Sequence, residues 1–385
     1  MTFSPTINPR LSRRQFTSLV AGSAVLGASS LRAQSSNRLV LGQSAALTGP
    51  AAQLGIQFHA GAQLYFDQLN ATGVLGQTQI QIRQLDDGYE PDRCAQNTQQ
   101  LLNDGVFALF GYIGTPTSVV ALPQAIKAET PFFAPFTGAM GLRQPFSRMA
   151  FHMRGSYNDE TALIVNQLAN LGLTKIAVFY QNDAYGKAGL DGVTQALAAR
   201  ALKPVATATV ERNSVNVAQA VATINAAQPD AVVQISAYTS CAAYIRAARK
   251  AGFGGTFYNV SFVGSQALAD ALGAEGAGVA ISQVVPTPYS SSKPISREFL
   301  AAISEGGGKV RPNFSSMEGF MAAKLFAEGA RRASGRLTRE SLIAGLESIR
   351  NHSMGGFSVS FSGSNHVASS YAELSMLTGD GKIRS

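Results

Sequence analysis

Tryptophan is absent from this 385-residue chain, cysteine occurs twice and histidine only four times. His59, His152, His352 and His366 are scattered without metal-ligand spacing, and Cys94 and Cys241 form no metal motif, so no metal is expected. The two cysteines stand 147 positions apart on separate helical segments and are expected as free buried thiols. No G-x-G-x-x-G follows the first strand segment, and Gly306-Gly307-Gly308-Lys309 lacks the earlier glycine and the Ser/Thr of a phosphate loop. A nucleophile elbow, G-x-S-x-G, is missing too. Asp86-Asp87 is a carboxylate pair, but a strand end before a turn suits turn and cap residues better. No enzyme and no cofactor are expected. Lys/Arg runs with interleaved aromatics are lacking, which argues against a nucleic-acid partner. Beyond residue 33 no stretch reaches the roughly 18 apolar residues that a membrane span needs.

The N-terminus reads as an address. Ser12-Arg13-Arg14-Gln15-Phe16-Thr17 sets paired arginines before a weakly apolar run of small residues, Ser18 to Leu31, and Ala33 offers a cleavage point before Gln34. This is the layout of a secretory signal of the twin-arginine type, with residues 1–33 expected to be removed. Removal takes four arginines and no acid, leaving 27 basic and 23 acidic residues, so a formal charge of +8 falls to +4. The mature chain is expected to be periplasmic and soluble. With 45% hydrophobic residues, it is long enough for two cores.

Short apolar or β-branched runs alternate with helical stripes along the whole chain. Strands are expected at Leu39–Ala46, Ile80–Leu85, Val106–Phe110, Phe132–Ala134, Ile176–Tyr180, Val205–Val210, Ala231–Ile235 and Gly278–Val285. Helices are expected at Gln53–Asn70, from Pro91 to Asn103, and at Ser118–Ala128, Asn158–Leu171, Tyr185–Ala201, Val215–Ala227, Ser240–Ala251 and Phe314–Ser334. Such alternation predicts an α/β protein with parallel, doubly wound sheets, and its restart after residue 155 predicts two of them. Pro286 and Pro288 bracket a crossover, and Met354 to Leu377 holds two further strands.

In open sheets of this kind ligands sit beyond the C-terminal strand ends. The corresponding loops, 111–118, 135–142, 181–186, 236–240 and 259–265, are rich in Gly, Thr, Ser, Tyr and Phe and poor in His, Cys and acids. That composition holds a molecule and does not transform it.

The same loops carry a resemblance. Leu47-Thr48-Gly49-Pro50 with Gln53-Leu54-Gly55, Asp86-Asp87 before Pro91, Phe110-Gly111 with Gly114-Thr115, Pro135-Phe136-Thr137-Gly138-Ala139 and Asn182-Asp183-Ala184-Tyr185-Gly186 occur in order. In this order they resemble the leucine/isoleucine/valine-binding family of periplasmic receptors, with the type I binding-protein fold, over residues 38–385. The resemblance implies two lobes joined by a three-segment hinge: 38–155 with 286–373, and 156–285 with 374–385. It implies a monomer that binds a small carboxylate-bearing ligand between the lobes and delivers it to an inner-membrane ABC permease.

By the same resemblance Thr115, Thr137 and Gly138 meet the ligand's carboxylate, beside Phe136 where relatives carry a small residue. Tyr185 and Tyr238 face the ligand from the second lobe. Leu54 stands where many relatives place a tyrosine. Ser261 stands in the slot where amino-acid binders of the family place a glutamate for the ligand's ammonium, and no acid lies in 253–266. Asp183 is the nearest substitute in sequence. These departures favour a carboxylate without an amine over a branched-chain amino acid. A ligand-sensing receptor on the same fold, without a transport role, is the alternative reading.

Overall fold

The computed structural model describes residues 1–4 and 37–385. The expected signal segment lies outside the described residues. From Arg38 to Ser385 the chain is one compact α/β unit built on two main sheets, the cores of a first and a second lobe.

The first sheet has the order β2-β1-β3-β4-β5, from β1 (Asn37–Ala45), β2 (Thr78–Asp86), β3 (Ala108–Phe110), β4 (Phe132–Phe133) and β5 (Ala150–Phe151). β3 pairs parallel with both β1 and β4, and β4 pairs parallel with β5. The second sheet has the order β14-β13-β10-β9-β8-β6-β7. Its parallel part is β6 (Ile176–Gln181), β7 (Ala206–Val210), β8 (Ala231–Ile235), β9 (Thr256–Asn259) and β10 (Ala280–Gln283). β13 (Glu373–Leu377) and β14 (Ile383–Arg384) close one edge antiparallel. A small hairpin, β11 (His352–Met354) with β12 (Phe357–Val359), stands apart.

Covered on both faces, the central strands are apolar runs: Ala231-Val232-Val233-Gln234-Ile235 is buried throughout. The first lobe's core is aromatic. Phe110 meets Phe58, Phe66, Phe133 and Phe326 at ring-centroid separations of 5.6–6.1 Å. Phe58 and Phe326 come from two long helices, Ala52–Thr72 and Phe314–Arg332, which cross where Gly61 faces the Ser316 backbone and Gly319 the Phe58 backbone, too close for any Cβ. So the C-terminal third returns to the first lobe before β13 rejoins the second. Cys94 and Cys241 are buried and unbonded.

Three helix starts differ from the sequence-based bounds by more than one residue, and the one expected at Val215 lies at Ala218. The expected Ser118 start lies at Thr115, because Gly114 takes φ +94° as the preceding cap residue and Pro116 suits a first turn that has no N–H partners to lose. The helix expected from Ser240 begins at Tyr238. Thr115 and Tyr238 are thus first residues of helices. Asp86 and Asp87 take the turn roles expected of them. Asp86 accepts from the N–H groups of Leu47, Thr48 and Gly88, and Asp87 from Ser44 and the Tyr89 N–H.

Candidate functional site

β3 and β4 end side by side, and the loops that leave them converge. Thr115 opens the helix after β3, and Thr137 follows β4 by four residues. Their hydroxyl oxygens are 2.6 Å apart and buried. Gly138 has no room for a side chain, since a Cβ would stand 2.6 Å from the Tyr157 backbone N. Tyr157 itself opens the helix Tyr157–Asn170, which Ser156 and Asp159 cap reciprocally. Its hydroxyl is drawn toward the Thr137 hydroxyl and the Gly138 N–H but completes no hydrogen bond. Burial pushes that phenol up to about 12.

The second lobe meets this corner with aromatic rings. Phe262 lies 4.6 Å from Tyr185, 5.7 Å from Phe136 and 5.8 Å from Tyr89, ring centre to ring centre, and Tyr185 lies 5.4 Å from Tyr157. Tyr89 and Phe262 press on Gly114, where a Cβ would collide with the Tyr89 ring. Leu54 packs against Gly264 across the same seam. Tyr238 is half-buried beside the Gln53 backbone, apart from the other predicted residues. Thr115, Phe136, Thr137, Gly138 and Tyr185 are therefore brought together; Leu54 and Ser261 are buried in the same seam, Ser261 against Glu160.

Three charged groups lie beneath this aromatic layer. The Arg154 guanidinium stacks 4.2 Å over the Phe136 ring. It donates to both carboxylate oxygens of Glu318 at 2.8 and 2.6 Å, with both side chains buried. Burial opposes the arginine's charge, yet the Glu318 carboxylate outweighs it and holds the cation more firmly than usual. Glu160, one turn along the helix from Tyr157 and fully buried, accepts from Ser261 N–H at 2.7 Å, from the Ser261 hydroxyl at 3.1 Å and from Ser282. Burial raises its pKa against these donors and the Arg154 charge. Among the described residues no Lys or Arg nitrogen reaches it within ion-pair distance.

An acid nevertheless backs the Ser261 slot in space. The acid there is Glu160, 101 positions earlier in the chain. Asp183 caps its own helix through Tyr185 and Gly186 N–H and meets Gln181 and Arg212. Sequence reading also missed Tyr157, Arg154 and Phe262. The Ser156-Tyr157-Asn158-Asp159-Glu160 cap signature was a usable signal, since it fixes which residues open that helix. Polar atoms of this region buried without a partner among the described residues include Ser118 Oγ, Arg154 Nη1, Tyr157 Oη and Tyr185 Oη, with Arg143 Nε and Gln181 Oε1 nearby.

Two sheets facing a polar, aromatic seam define a two-lobed binding protein. The sequence profile of the periplasmic binding protein family matches residues 38–382, and the chain belongs to that family. It is a binding protein and not an enzyme. It superposes with TM-score 0.87 on a possible leucine/isoleucine/valine-binding protein from Rhodopirellula baltica SH 1, at 34% identity over 91% of this chain and 96% of that one. With a substrate-binding periplasmic protein from Ralstonia solanacearum the TM-score is 0.82 and the identity 31%, over 90% and 99% of the two chains. Leu/Ile/Val-binding protein homolog 3 from Brucella melitensis biotype 1 is 27% identical over 165 residues, 41% of this chain and 44% of that protein. The chain thus spans under half the length of that curated relative. No helix of the described residues is long and apolar enough to cross a membrane.

Proposed function

We propose that this chain is an exported, monomeric receptor of the periplasm that closes on a small carboxylate-bearing molecule with an apolar body and hands it to an ABC permease in the inner membrane. One lobe comprises 38–155 and 286–373, the other 156–285 and 374–385. The ligand sits among Leu54, Thr115, Phe136, Thr137, Gly138, Tyr185, Tyr238 and Ser261. Support comes above all from the unpartnered groups of the seam, Ser118, Arg154, Tyr157 and Tyr185. A buried polar group left without a hydrogen bond costs about 1–3 kcal/mol. A ligand that supplies the missing partners therefore favours closure, by a hinge motion. Two paired hydroxyls at a helix N-terminus beside a glycine N–H suit a carboxylate.

Glu160 carries a second reading of the ligand's other end. A buried carboxylate with donors but no counter-ion is a place for an ammonium, so an amino acid competes with the amine-free acid that the sequence favoured. A thermal-shift screen of amino acids, aliphatic acids and aromatic acids on the purified full-length chain tests the proposal. True ligands raise the unfolding temperature by binding only the folded state. A flat response to every carboxylate would overturn it.

A further inference from the structure

Arg143 is buried in the loop after Ala139, and all its hydrogen bonds run to backbone carbonyls. Nη1 donates to Ala139 at 2.9 Å, and Nη2 to Thr137, Arg154 and Gly155 at 3.2, 3.1 and 3.2 Å. Among the described residues no carboxylate reaches it within ion-pair distance; Asp159 is engaged with Ser156, and Glu160 with Ser261 and Ser282. Neutral donors would satisfy four carbonyls equally well. A buried charge outside an ion pair is costly, and burial together with the like charge of Arg154 lowers this guanidinium's pKa to about 10, with Asp159 and Glu160 offsetting part of the shift from beyond ion-pair distance.

The geometry gives that charge a use. A trans peptide points the Thr137 carbonyl and the Gly138 N–H in opposite directions within one plane. The carbonyl side faces Arg143, and the N–H side turns toward the Tyr157 hydroxyl. A cation on the carbonyl oxygen polarises the amide and strengthens its N–H as a donor. The same nitrogen holds Arg154 and Gly155, on the segment by which the chain leaves β5 for the second lobe.

We propose that Arg143 is a positioning residue that makes the Thr137–Gly138 corner selective for an anion, by standing as a buried cation outside any ion pair behind that peptide while tying it to the crossing between the lobes. This rests on the carboxylate reading of the site. Nothing requires it to touch the ligand.

The test compares 4-methylpentanoate with 4-methylpentanamide, alike in shape and different in charge, by calorimetric titration of the full-length chain. The unaltered protein is expected to bind the carboxylate at least tenfold more tightly at every pH from 6 to 8, where Arg143 keeps its proton. Arg143→Gln keeps the amide's affinity and loses that preference. Arg143→Lys keeps the preference at pH 6 and loses it as pH rises, since a buried lysine without an acid partner deprotonates early. Should the glutamine variant not fold, the lysine variant's pH profile decides alone. Equal weakening of both probes in the glutamine variant would reduce Arg143 to a structural tie, and a preference unchanged in both variants, flat with pH, would remove its role while leaving the carboxylate site. No binding of 4-methylpentanoate, leucine or phenylacetate by the unaltered chain removes the parent reading and this one together.

Discussion

Ser261 donates both its backbone N–H, at 2.7 Å, and its hydroxyl, at 3.1 Å, to the carboxylate of Glu160. The slot that lacks an acid in sequence is thereby backed by one in space. If the ligand carries an ammonium, leucine will bind more tightly than 4-methylpentanoate, and Glu160→Gln will erase the difference. A hydrogen bond to a charged group contributes roughly 1.5–3 kcal/mol, so the expected loss for leucine is about 10- to 150-fold. Equal or tighter binding of 4-methylpentanoate by the unaltered chain would return the ligand to the amine-free class.

Thr115 and Thr137 share one short hydrogen bond, so their contributions to a ligand's carboxylate are coupled. Thr115→Val and Thr137→Val are each expected to weaken a carboxylate ligand by about 10-fold or more. The double variant should lose less than the product of the two, because either single change already unties the pair. Titration of the three variants measures it; strict additivity would mean that the hydroxyls act independently.

The two-sheet architecture was legible because its signal is repetition. Runs such as Ala231–Ile235 followed by a helix recur often enough to predict parallel strands without any single run being decisive. Thr115 was singled out for a related reason, since strand ends that lead into helix starts are where such folds present backbone N–H groups, while Thr137 and Gly138 came from the family resemblance. β4 and β5 span two residues each, too few to display a period. Glu160 was illegible because its meaning depends on a partner 101 positions away. Arg143 lies in a loop without periodicity, and its four carbonyl partners carry no side-chain signature at all.

Asp86 and Asp87 adjoin each other in the chain and titrate in opposite directions. Burial pushes Asp87 up to about 6, against its bonds to Ser44 and Tyr89 N–H. Asp86 is held down to about 2: burial opposes this, but Thr48, two backbone N–H groups and Arg93 prevail. Because the folded state holds the Asp87 proton more tightly than the unfolded chain does, its contribution to stability is present below pH 3.8 and is lost as pH rises toward 6. A two-unit shift is worth about 3 kcal/mol at most. Asp87→Asn should remove that decline from a denaturant-midpoint profile between about pH 4 and 6. Asp86 works the other way, losing stability as pH falls from 3.8 toward 2. A profile of Asp87→Asn that still declines between pH 4 and 6 would assign the effect to another group, with Glu160 next in line, since its pKa is raised as well.

The mouth of the seam is held by polar contacts between the lobes. Arg212 donates to Glu90 at 2.8 Å, Asn213 donates to Glu90 and to the Gly88 carbonyl at 2.8 and 3.1 Å, and Gln181 donates to the Tyr89 hydroxyl at 3.3 Å. Arg212 also reaches Asp183, the cap of the helix that carries Tyr185. On the proposed hinge motion these groups would meet only on closure, so they should act on the lifetime of the closed state. Part-exposed ion pairs are worth about 0.2–1 kcal/mol, and hydrogen bonds to charge somewhat more. Arg212→Ala is therefore expected to speed ligand release by about 2- to 10-fold while leaving the association rate nearly unchanged. Glu90→Ala should do the same, and the double variant little more than either alone. Stopped-flow release from the four proteins gives the coupling directly. Additive effects of the two substitutions would show that Arg212 and Glu90 do not act through each other, and that closure is set deeper in the seam.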